Sequence, residues 1–429
     1  MTTTVAKPSR VTWVRRNLFR TPLDGILTIV FGSLGLYVIF RGVLFVASGF
    51  VNGRWQIIDD NLKLLMVGLW PVQNLIRIGV SVAVLALWAG VIGGVIAGRQ
   101  KRRGTSSIEG LTAMQRASDL TRRFGLVTAT LLLLLSLTDT AGPWIMVLSA
   151  FVAGVIGRVI GGWIGVRFLP IWVSRLFTVV MVAVPIGVFL YLTSPWLPDP
   201  LPAARSSEPS AWPLAEWEGF MFNLTSAAAG IVLSFPIGLL LALGRRSKLR
   251  LLQGISIVYI EFVRGAPLYV LLLMANVSLE FFVPEALAPS RVVRAIVTFT
   301  LFTAAYIAEI VRGGLQSVPV GQEEAGKALG LTPTKQMRLI VLPQALRNVI
   351  PAQIGQFISL FKDTTLAGLA LGILDLLAGA TAITQQPDFR GQGLIIEALV
   401  FVGFLFWVGS FTMSRESQRL EKKLGVGTR

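Results

Sequence analysis

The stretch GQEEAGKALGLTPTKQMRLIVLPQ, Gly321 to Gln344, decides how this sequence is read. It is the densest run of mixed charge in the C-terminal half, and long apolar runs flank it on both sides. Its local signals predict two short helices set at an angle. Gln322–Leu329 suits the first. Glu323 and Glu324 fall in its first turn, where carboxylates meet the positive end of the helix dipole. Lys327 follows at three and four residues and can pair with either. Ala325, Ala328 and Leu329 make a narrow stripe of small and apolar side chains. Gly330 is placed to end the helix in the left-handed conformation. Thr332 then reads as an N-cap with Pro333 as the first helical residue, so a second helix starts at once and is expected to stop near Pro343.

The surroundings of this stretch are those of a membrane protein. Only 14% of the 429 residues are charged, and several apolar runs approach or exceed the ~20 residues that cross a bilayer as helix. The alternation expected of a membrane β-barrel is missing. The expected fold is therefore an all-α polytopic membrane protein with about ten transmembrane helices, near 26–48, 75–98, 124–137, 144–166, 174–194, 218–244, 252–282, 292–313, 350–375 and 393–414. The absence of cysteine and histidine excludes disulfides, thiolate chemistry, histidine-ligated metals and histidine-based catalysis.

Charge placement orients the chain. The net charge of +17 suits basic loops that hold a membrane topology better than it suits nucleic acid. Segment 98–104, GRQKRRG, is strongly basic and reads as cytoplasmic, whereas Pro195–Trp217 holds six prolines and one basic residue and reads as external. An odd number of spans must join them, and three fits. Of 39 Lys and Arg residues, 28 fall in segments predicted cytoplasmic and seven in segments predicted external. Both termini and the 314–349 loop come out inside, and the first residues read as a cytoplasmic tail rather than a cleavable signal. The chain divides into an N-terminal membrane extension of about five spans (1–194), an external proline-rich linker (195–217), a core (218–414) and a cytoplasmic tail (415–429). In Gly154–Val166, glycines at 157, 161 and 165 are read as ordinary close packing in preference to a dimerisation seam.

Two uses of the opening stretch compete at this point. An amphipathic helix pair lying on the lipid surface would show a broad Leu/Phe/Trp face, and Gln322–Leu329 does not. Small residues with a glycine suit insertion into a protein groove instead. EEAGKALGL followed by PQALRNVIP resembles the EAA loop of bacterial ABC importer permeases, the loop that docks onto the ATPase subunit. The pattern falls on Glu324, Ala325, Gly326 and Gly330, with Gly326 in place of the second alanine. That exchange keeps the surface small but loosens the helix by about 1 kcal/mol. NLTSAAAGIVLSFPIGLLLALGRRS, YIEFVRGAPLYVLLL and FKDTTLAGLAL are similar to polar amino-acid permeases over about 218–414. WVRRNLFRTPLDGILT and NLKLLMVGLWP resemble the extended permeases of general L-amino-acid uptake systems.

The resemblance implies a type I importer core of five helices in a bacterial inner membrane. It implies alternating access, a cytoplasmic ABC ATPase dimer docked on Glu323–Gly330, a second and related permease chain, and a periplasmic amino-acid-binding protein. No GxxxxGK[ST] occurs, so ATP and Mg belong to the partner ATPase and this chain holds no cofactor of its own.

Charges at membrane depth mark pathways by default. An amino acid is a zwitterion, and Lys362 and Asp363 supply a cation and an acceptor. Adjacent helical positions diverge by about 100°, so both reach one ligand only near a bend or a helix end. Glu309, Arg264 and Glu261 are further candidates, with an Arg264–Glu261 pair at i, i+3 as the structural alternative. Thr364 and Thr365 offer hydroxyls, or helix caps. A secondary, ion-coupled transporter is the competing class. It would need no docking loop and would be expected to carry an inverted repeat, which is not seen.

Overall fold

A computed structural model of the chain describes residues 10–70, 75–102, 113–138, 140–166, scattered positions between 177 and 188, 217–278 and 289–425. The fold is helical, and no strand forms among the described residues. Six helices there are long and apolar enough to cross a membrane, and one bent helix pair passes the same test when its two helices are taken together. Of the ten expected spans, 174–194 lies almost wholly outside the described residues.

Close contacts divide the chain into Met1–Ile57 and Ile58–Arg429. In the first unit α1 (Arg10–Leu18) precedes α2 (Pro22–Val51). Thr21 and Asp24 form a reciprocal capping box, and Pro22 sits in the first turn, so the start of α2 is fixed locally. Nearly the whole surface of α2 is exposed apolar side chain, as a helix bathed in lipid requires. Trp55 turns back onto Gly49 and donates from its indole nitrogen to the Val46 carbonyl at 3.1 Å.

The boundary between the units falls within α3 (Gln56–Asp60), and the second unit continues through α4 (Leu62–Val67), α5 (Leu75–Arg102), α6 (Ala113–Ser136) and α7 (Ala141–Val166). Helices α5 and α7 are parallel: Leu87, Val91 and Val95 meet Gly157, Gly161 and Gly165 in the same order. A parallel pair is what a single crossing by α6 between them would give; the third span expected before 195 lies outside the described residues. The three glycines of α7 therefore form a seam within the chain, and α5 answers with Gly90, Gly94 and Gly98.

The core comprises α8 (Gly219–Arg245), α9 (Arg250–Gly265), α10 (Leu268–Val277), α11 (Arg291–Gln316), α12 (Val320–Ala328), α13 (Pro333–Gln336), α14 (Leu342–Asp363), α15 (Leu366–Leu371), α16 (Leu376–Ile383) and α17 (Ile395–Leu424). Two expected spans are interrupted. The run 252–282 bends by 104° between α9 and α10, because a residue preceding proline disfavours the helical region, and Ala266 before Pro267 is extended. The run 350–375 stops as helix at Asp363 and resumes as the short α15 and α16. Trp217, Phe222, Leu272, Phe299, Leu360 and Leu371 make the buried centre, and Trp70 joins them. Residues just after α4 thus belong to this core, although the sequence assigned them to the extension. Leu65 lies beside Gly379 of α16, Gln386 donates to Asn61 at 2.8 Å, and the Glu218 carboxylate accepts the Leu69 N–H at 2.8 Å.

Candidate coupling loop and charged cluster

Helix α12 forms much as its sequence dictates. It runs Val320–Ala328, Gly330 takes φ +70°, and the Thr332 side chain accepts from the Lys335 N–H ahead of Pro333. The second helix does not stop near Pro343. A π-turn over Met337–Val341 carries α13 directly into α14. Proline lacks an N–H and crowds the preceding turn, and widening that turn lets the helix pass Pro343 without breaking.

Ala325, Ala328 and Leu329 are exposed, Leu329 by 78%, and Val320 beside them by 69%. Gly326 faces inward and is buried. Glu323 faces Arg246, 3.9 Å away, and among the described residues the expected pairing of Lys327 with Glu323 or Glu324 does not form. The loop is pinned to the core at its ends: Asn348 donates to Ser317 at 3.0 Å, and Gln344 donates to Gln322 at 3.3 Å.

Beside the loop, the neighbouring parts of α8, α9 and α11 bring charges together. Glu309 accepts from Arg312 and lies 3.6 Å from Arg245 and 3.7 Å from Arg264. Arg245 also meets Glu261 at 2.9 Å, and Arg264 lies over the Tyr306 ring at 5.5 Å. The expected i, i+3 pair of Arg264 with Glu261 is replaced by pairs between helices. One turn of a single helix offers an i+3 partner, but here the packing of α11 places Glu309 within reach of three arginines. Three guanidinium groups and two carboxylates leave the cluster one positive charge in excess. The Nε of Arg264 is buried without a partner among the described residues.

Lys362 and Asp363 lie at the C-terminal end of α14, the helix end that their shared use requires. Lys362 is exposed and Asp363 half-buried. Their neighbours are engaged in structure. The Thr365 hydroxyl donates to the Lys362 carbonyl at 2.9 Å, and the fully buried Thr364 hydroxyl donates to the Phe361 carbonyl at 2.7 Å. Asn223 donates to Thr364 at 3.1 Å and to Asp375 at 3.3 Å, and accepts the Leu376 N–H at 3.1 Å. Asp375 caps α16 by accepting the Ala378 N–H at 2.9 Å. Asn223 and Asp375 were missed by sequence reasoning, yet a lone carboxylate in the apolar run LGILDLLAGA is a readable signal.

Comparison with known proteins places this geometry. The model of the family described as binding-protein-dependent transport system inner membrane component matches residues 234–426. The probable glutamine ABC transporter permease protein GlnP of Bacillus subtilis is 32% identical over 206 residues, which are 48% of this chain and 91% of GlnP. This chain belongs to that permease family. Its C-terminal helices are a type I ABC importer core in a multi-pass inner-membrane protein. Two longer relatives are more similar in sequence. The inner membrane amino-acid ABC transporter permease protein YhdY of Escherichia coli K12 is 42% identical over 49% of this chain and 57% of YhdY. The glutamate/glutamine/aspartate/asparagine transport system permease protein BztC of Rhodobacter capsulatus is 42% identical over 52% of this chain and 51% of BztC. The match spans about half the length of these two curated relatives.

Proposed function

We propose that this chain is the permease subunit of an ATP-binding-cassette importer for amino acids. A separate ATPase dimer drives it through Glu323–Gly330, and a second permease chain and a periplasmic binding protein complete the assembly. ATP and Mg sit on the ATPase, and both termini of this chain face the cytoplasm. The observation that carries the reading is the presentation of α12. A short helix held between two spans turns Val320, Ala325, Ala328 and Leu329 outward, where no residue of this chain described here covers them. Large apolar side chains on a polar face of the molecule mark a contact surface. Names of the relatives support amino acids as cargo. Lys362 and Asp363 at the end of α14 are the proposed contacts for the zwitterion, and Thr364 and Thr365 shape that helix end. Glu309, Arg264 and Glu261 form the charged cluster on the cytoplasmic side of the path. No observation favours the ion-coupled alternative.

The test is uptake in proteoliposomes holding the whole complex. Glu324→Lys is expected to abolish uptake while membrane insertion stays intact. Uptake at full rate by this chain alone would overturn the proposal. Lys362→Ala is expected to weaken the dependence of ATP hydrolysis on substrate without releasing the ATPase, and unchanged hydrolysis and uptake would remove Lys362 from the path.

A further inference from the structure

The family pattern has alanine where this chain has Gly326, and the structure gives that exchange a physical reason. Gly326 is buried in a helix whose neighbouring residues Ala325 and Lys327 are exposed. A Cβ built on Gly326 would lie 2.7 Å from Cγ and 2.8 Å from Nε2 of Gln336. Both are closer than real Cβ atoms approach their neighbours. Gln336 itself is 6% exposed, and its amide Nε2 donates to the Glu323 carbonyl. The Gln336 side chain therefore crosses from α13, fills the space a side chain at 326 would take, and bonds to the backbone one turn earlier.

The other devices in this loop act locally. Gly330 ends α12, and Thr332 starts α13. The Leu331 N–H donates to the Gly326 carbonyl at 3.1 Å and closes the turn between them. Local caps fix where each helix begins and ends, but they leave the angle between two short helices soft, because only a few backbone torsions separate them. A buried side chain bonded from one helix to the other removes that freedom. Gln336 also sits immediately before the π-turn that leads into α14, so it joins α12 to the helix that ends at Asp363.

We infer that Gly326 and Gln336 are a matched pair that sets the tilt of α12, with Gln336 the positioning residue of the ATPase-docking loop. The inference rests on the proposed docking role of α12. An alanine at 326 displaces the Gln336 amide from the Glu323 carbonyl and tips the helix. Removing the Gln336 side chain makes room for that alanine.

The experiment uses the full complex in proteoliposomes, with uptake, ATP hydrolysis and ATPase co-purification measured on Gly326→Ala, Gln336→Ala and the double variant. Gly326→Ala is expected to lower uptake about fivefold to tenfold, inside the roughly twofold to 150-fold span that coupling between contacting residues produces. Gln336→Ala is expected to raise the ATP hydrolysed per molecule imported. The double variant is expected to regain uptake to the level of Gln336→Ala, a recovery that damage from a merely helix-altering change would not show. Wild-type uptake in Gly326→Ala, or a double variant whose losses simply multiply, would overturn the pairing. If Gly326→Ala fails to accumulate in the membrane, the comparison of the double variant with Gln336→Ala still decides it: equal uptake supports the pair, and a further loss refutes it. Leu329→Arg separates the two readings. If it leaves uptake and ATPase co-purification untouched, the docking role itself fails, whatever the pair does.

Discussion

Two pairs of parallel helices in this protein are built on different principles. Helices α5 and α7 meet glycine against backbone. A Cβ at Gly161 would lie 2.1 Å from the Val91 carbonyl oxygen, and one at Gly157 would lie 2.2 Å from that of Leu87. Their outward faces carry exposed Phe151, Val159 and Trp163. In the core, α8 meets α11 through side chains as well as backbone, and a Cβ at Gly238 would lie 2.8 Å from the Ala304 carbonyl oxygen. Gly230 leaves room for Phe299 and Leu360, and Gly238 receives Ile307. Among the described residues, the core buries polar side chains in a network at Asn223, Thr364 and Asp375. In lipid, where apolar faces gain nothing by meeting, backbone approach and dispersion hold the first pair. The second relies on interlocked volume and on polar groups that satisfy one another. The first pair has little room to slide. The second is held by side chains from several helices at once.

Three substitutions would break or sharpen this contrast. The largest effect is expected from Gly161→Ala, which drives a methyl into a carbonyl oxygen that cannot move aside. A loss of about 3 kcal/mol or more is expected, read as a fall in the thermal midpoint of the detergent-purified protein. Gly162→Ala, whose Cβ would meet nothing within 4 Å, is the control and should leave the midpoint unchanged. If the two variants behave alike, the glycine seam is not what holds the pair.

Asn223→Ala ranks second. It leaves the Leu376 N–H, the Thr364 hydroxyl and the Asp375 carboxylate short of a partner in a buried site. Unsatisfied buried groups of this kind cost about 2–3 kcal/mol. The same thermal measurement checks it, and an unshifted midpoint would mean the network contributes nothing to the core. The smallest effect belongs to Gly154→Ala. Its Cβ would sit 3.6 Å from the Ala86 carbonyl oxygen, an ordinary contact. Alanine also favours helix over glycine, so the midpoint should stay or rise slightly. A fall comparable to that of Gly161→Ala would show that the seam is tight along its whole length.

How much of this was legible depended on the range of the interaction. Glu323, Gly330, Thr332 and Pro333 announced α12 and the start of α13, because a cap or a helix end is decided within four residues. The parallel order of α5 and α7 agrees with one crossing between them, as the spacing of the apolar runs leads one to expect. Pro343 misled, since a proline normally ends a helix and nothing nearby signals that a π-turn will absorb it. The break after Asp363 was not readable either. The residues that hold it, Asn223 and Asp375, lie about 150 positions apart.

The sequence by itself determined that the chain spans a membrane many times and that a small helix projects between two spans near Glu324. These follow from hydropathy, charge and capping, all local or additive along the chain. Tertiary structure alone decided which charges meet and which glycines are needed. Glu309 gathers Arg245, Arg264 and Arg312 because three helix ends converge on it. Gly326 is required by Gln336, ten residues on and across a turn. Residues 61–70 join the core because Leu65, Leu69 and Trp70 find their partners beyond residue 216. Contacts of that kind depend on where helices pack, and packing is not a property of any one segment.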